Sequence, residues 1–127
     1  MSYLLDTNIV IGYLASSLPS NGMKTLNAIV DDDSIISVIT KIETLGFNFK
    51  SVSEKLNTEV FVNGSTILNI DDAIVSRTIV LRKTHKIKLP DAIIAATALV
   101  HGLILISRNT KDFVEITGLR VINPYDL

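Results

Sequence analysis

Short apolar runs alternate along this chain with segments of helical period, and polar or acidic residues mark the changeovers. The runs lie at residues 3–5, 34–39, 65–70 and 103–106, with a shorter one at 119–122. Strands alternating with helical segments pack stably when the strands are parallel and the helices cover the sheet. The pattern predicts an α/β fold, a three-layer sandwich with a central parallel sheet of four to five strands and helices on both faces. At 127 residues the chain is expected to form a single domain, residues 1–127, with a sizeable core.

The helical segments carry their own start and stop signals. Asp6-Thr7-Asn8 offers an N-cap before the apolar residues 9–14. Residues 16–22, with Pro19 and Asn21-Gly22, read as a loop, and residues 23–30 as a helix ended by three aspartates. Thr40 is expected to cap a helix running to about Lys50, with Glu43 completing a capping box. A weaker helix is expected over residues 51–61, then a turn at Asn63-Gly64. Asp71-Asp72 opens a helix with Ile74, Val75, Ile79 and Val80 assigned to its inner side. Pro90 and Asp91 open the next, apolar on nearly every side to Val100 and closed by His101-Gly102.

Composition excludes several classes. The uncharged stretch 92–107 is shorter than the roughly 20 apolar residues of a bilayer span and is broken by His101-Gly102, so no membrane segment is expected. No basic region precedes the first apolar run, which argues against a signal peptide. Without cysteine there is neither a disulfide framework nor thiolate chemistry, and a cytoplasmic location is expected. A net charge of -1 gives no global pull toward nucleic acid. Locally, however, Arg77, Arg82, Lys83, Lys86 and Lys88 fall in one acid-free segment, either a solvated helix face or a surface for phosphates.

The acids say most about function. In a parallel sheet the carboxyl ends of the strands and the first turns of the following helices share one edge. Asp6 follows the first run, Glu43 the second, and Asn109 and Asp112 the fourth, while Asp91 sits in the first turn of its helix. Each has a modest reading alone: a helix cap, a first-turn acid favoured by the helix dipole, or a surface residue. Gathered, they need a cation, because two carboxylates about 4 Å apart repel by roughly 4 kcal/mol at an effective dielectric of 20. Hard oxygen donors suit Mg²⁺ or Mn²⁺, and zinc is disfavoured because only His85 and His101 are present, neither at ligand spacing from a partner. Such a site suits phosphodiester hydrolysis.

The chain resembles the PIN domain (PilT N-terminal domain) family, and within it the VapC-type toxins. The likeness rests on Leu4-Leu5-Asp6-Thr7-Asn8, Ile42-Glu43-Thr44-Leu45, Leu89-Pro90-Asp91-Ala92-Ile93-Ile94-Ala95-Ala96, and Ser107-Arg108-Asn109 with Asp112-Phe113. These segments come in the family's order and span nearly the whole chain. The resemblance implies an Mg²⁺- or Mn²⁺-dependent endoribonuclease with Asp6 and Asp91 as principal metal ligands and Glu43 as third acid. Asn109 matches a fourth position that is often Asp, a departure that Asp112 is placed to offset. It further implies Thr7 and Ser107 as supporting hydroxyls, a homodimer, and a VapB-like antitoxin. Arg108 joins Arg77, Arg82, Lys83, Lys86 and Lys88 as a candidate RNA contact.

Two other readings share these residues. One is a PIN-type nuclease of RNA maturation or quality control, and the other a non-catalytic binding module. A receiver-like signalling domain would want an acid pair after the first strand or its neighbour and a Lys after the last core strand. Here only Asp6 follows the first strand, and Arg108 takes the latter place.

Overall fold

The computed structural model describes residues 2–127. Five parallel strands form one sheet: β1 (Tyr3–Leu5), β2 (Ile35–Ser37), β3 (Thr66–Leu68), β4 (Ile104–Ile106) and β5 (Val121–Ile122), in the order β3-β2-β1-β4-β5. Six helices connect them: α1 (Thr7–Leu14), α2 (Ser20–Asp32), α3 (Val38–Leu45), α4 (Val52–Asn63), α5 (Asp72–Thr84) and α6 (Leu89–His101). The chain winds outward from β1 to β2 and β3, then crosses back to β4 and β5 on the other side of β1. The winding direction therefore reverses between β1 and β4, the kind of crevice where open α/β sheets bind ligands.

Strand side chains alternate between two cores. Leu4, Ile35 and Leu105 face α5 and α6, joined by Ile74, Leu81, Ile94 and Phe113. Leu5, Ile36, Ile104 and Ile106 face the other way, onto Ile9, Val10, Leu26 and Val62 of α1, α2 and α4. These are the three expected layers. Among the described residues no helix is long and apolar enough to cross a membrane.

Five local expectations change. The loop after α1 is shorter than residues 16–22, because α2 begins at Ser20 behind Pro19. Gly22 lies in its first turn, where the chain passes so close to the Pro124 carbonyl that a Cβ would not fit. The second strand stops at Ser37, not residue 39, because the Ser37 hydroxyl accepts from the Ile39 N–H at 3.1 Å and caps α3. Thr40 is then inside the helix and fully buried, so it forms no capping box with Glu43. Helix α3 ends at Leu45, well short of Lys50. On α5 the inner face is Ile74, Thr78 and Leu81, while Val75, Ile79 and Val80 are exposed. Thr78 takes a core position because its hydroxyl is satisfied by the Ile74 carbonyl at 2.7 Å.

Candidate active site

Asp6 stands at the reversal point. Its backbone N–H still bonds to Ile106 of β4 at 3.0 Å, so it is held by the sheet as well as by the helix it caps. One carboxylate oxygen accepts from the Thr7 N–H at 2.8 Å and the other from the Ser107 hydroxyl at 2.7 Å. Ser107 follows β4, is fully buried, and accepts in turn from the Asn109 N–H at 3.0 Å. Two neighbouring strands thus place an acid and its hydroxyl partner side by side across the crevice.

Helix α3, which follows the next strand over, supplies Glu43. The Thr7 hydroxyl donates to the Glu43 carboxylate at 2.7 Å and lies 3.0 Å from the Thr40 hydroxyl. Asp91 enters from the opposite helical layer, in the first turn of α6, behind Pro90. On the β4 side the Asn109 amide donates to the Asp112 carboxylate, so Asn109 is tied both to Asp112 and, through its backbone, to Ser107.

The acids act on Asp91 through their charges. Burial, then the charges of Asp6, Asp112 and Glu43, push the Asp91 carboxyl up to about 6 against a relieving Lys88. Asp6 is raised too, first by burial; hydrogen bonds from Ser107 and Thr7 oppose this, and Glu43 adds to it. Asp91 is therefore the point at which the charges of Asp6, Glu43 and Asp112 meet.

The donor set suits a hard divalent cation. Each Asp6 oxygen spends one lone pair on a hydrogen bond and keeps another, and Asp91 carries a charge that its surroundings do not neutralise. Among the described residues no three Asp, Glu or His side chains close around a single ion position. Mg²⁺ does not require that, since it keeps several waters and commonly takes only one or two carboxylates. Asp6 and Asp91 would hold it.

The basic candidates divide. Lys88 precedes α6 and acts on Asp91. The Arg108 guanidinium, between Ser107 and Asn109 in sequence, lies over the Tyr125 ring at 4.2 Å, and the Arg108 backbone N–H donates to Asn8 Oδ1 at 3.4 Å. Arg82 is bonded to the Ile87 carbonyl at 2.7 Å, which braces the loop between α5 and α6. Arg77, Lys83 and Lys86 are exposed. Sequence reading missed Thr40, whose place three residues before Glu43 puts both on one helix face. It also missed Tyr125, for which no sequence signal exists.

Comparison with curated proteins finds no match. Solved structures with this fold include a toxin–antitoxin complex from Klebsiella pneumoniae, 37% identical over 99% of this chain and 100% of that one, with a TM-score of 0.78. VapBC-1 from nontypeable Haemophilus influenzae is 26% identical over 98% of both chains, with a TM-score of 0.78. DNA-bound VapBC from Salmonella typhimurium is 25% identical, again over 98% of both, with a TM-score of 0.79. The chain belongs to the PIN domain family, whose model spans residues 3–119 and so takes in every acid of the cluster.

Proposed function

We propose that this chain is an Mg²⁺- or Mn²⁺-dependent endoribonuclease and the toxin of a VapBC-like toxin–antitoxin pair. The observation that carries the reading is the placing of Asp6, Glu43 and Asp112 close enough to Asp91 to raise its carboxyl, at the reversal of the sheet. A cation held by Asp6 and Asp91 would activate a water and offset charge developing on the phosphate and the leaving oxygen. Glu43 orients the attacking water and accepts its proton. Ser107 and Thr7 keep Asp6 aimed into the crevice, and Asn109 with Asp112 closes its β4 side. Arg108 and Lys88 flank the acids and are the best placed of the cations to meet RNA phosphates, with Arg77, Lys83 and Lys86 further candidates.

The toxin role is supported by toxin–antitoxin complexes whose matching chains are covered almost end to end. The partner would be a VapB-like antitoxin, and two copies of this chain would pair through exposed apolar residues. The test is cleavage of structured RNA by Asp6→Asn and Asp91→Asn variants, with Mg²⁺ and with chelator. The expected outcome is a loss of at least about a hundredfold, the order seen when a group stabilising transition-state charge is removed. Undiminished cleavage in the variants or in chelator would overturn the mechanism.

A further inference from the structure

Glu43 is held differently from the other acids. Asp6 is buried and takes two hydrogen bonds, whereas Glu43 is exposed and, among the described residues, its carboxylate accepts one, from Thr7. A hydroxyl carries one proton, and an ionised carboxylate only accepts. While Glu43 is a carboxylate, the Thr7 proton is therefore committed to it. The 3.0 Å contact between the Thr7 and Thr40 hydroxyls then has one possible direction, with Thr40 donating. Thr40 is fully buried, and among the described residues no buried side-chain polar atom lacks a partner.

The geometry points to Thr40 as a positioning residue for Glu43. Its buried hydroxyl sets the rotation of the Thr7 hydroxyl, and Thr7 sets the carboxylate. The chain Thr40 to Thr7 to Glu43 also joins α3 to the first residue of α1, so the acid on one helix is aimed by the other. Its kinetic consequence rests on the nuclease reading; the side-chain geometry does not.

Thr40→Val keeps the shape and removes the hydroxyl. In RNA cleavage its kcat is expected to fall about fivefold to tenfold, the worth of one net hydrogen bond. KM, and Mg²⁺ affinity by calorimetry, stay within about twofold, since neither Asp6 nor Asp91 is touched. Thr40→Ser should restore the rate. In a Thr7→Val background the Thr40 change should cost nothing more, because Thr40 acts only through Thr7. Additive losses, or a loss that serine does not rescue, would overturn the proposal. Crystal structures decide it without any assay. Glu43 should leave Thr7 in Thr40→Val, or in Thr40→Ala if valine prevents folding, and an unmoved Glu43 refutes the relay. A wild-type chain that cuts no RNA would refute the nuclease reading, and the crystallographic comparison would still stand.

Discussion

At Asp91, burial and three like charges act in one direction, and the sign of the pH effect follows. The carboxyl titrates at about 6 in the folded chain against 3.8 ordinarily. A folded state that holds its proton more tightly gains stability in acid, and loses it as pH rises through that window. Without divalent metal, Asp91→Asn is expected to match the wild type in melting temperature below pH 3.8. It should pull ahead as pH climbs to about 6 and keep a constant lead beyond. Mg²⁺ should close that gap by raising the wild type alone, and a gap that ignores both pH and Mg²⁺ would remove the cation from this site. Asp6 and Asp91 could be picked out in the sequence because each sits at a helix start, where local chemistry is visible. Thr40 could not, because its role depends on a hydroxyl 33 residues away.

Among the elements, the turn at Pro124–Asp126 shows what close packing demands. It lies against two helices through glycines, Gly22 beneath the Pro124 carbonyl and Gly12 beneath the Tyr125 hydroxyl. A backbone carbonyl cannot swing aside, whereas the end of a tyrosine can. Gly22→Ala should therefore cost about 1–3 kcal/mol in urea denaturation, as overpacking does, and Gly12→Ala distinctly less. Equal costs would show that the turn is not seated as described. The helix starts at α5 and α6 were legible because Asp71 and Pro90 are strong local signals. The start of α3 was not, since Val38, Ile39 and Thr40 favour strands and the Ser37 cap prevailed over them. The inner face of α5 was ambiguous because its apolar residues come in adjacent pairs, 74–75 and 79–80, which fit two rotations of the same helix.

For the molecule as a whole, the parallel order and the three layers could be read from the alternation of elements, since parallel strands require crossover connections. Which strands are neighbours could not, because the pairing of β1 with β4 is a long-range choice. Outside the two cores, Val75, Ile79 and Val80 remain 45%, 50% and 53% exposed on α5. If two copies pair through this face, Ile79→Asp should convert a dimer to a monomer in sedimentation, and a monomeric wild type would remove the need for a partner copy. The bond between Ser107 and Asp6 joins residues 101 positions apart. At ribosomal speeds of about 5–20 residues per second, roughly 5–20 s separate their synthesis. Until β4 emerges and slots in beside β1, Asp6 lacks both its hydroxyl partner and the backbone bond to Ile106. This corner of the crevice is thus assembled late, and a chain halted before β4 would carry the acid without its hydroxyl anchor.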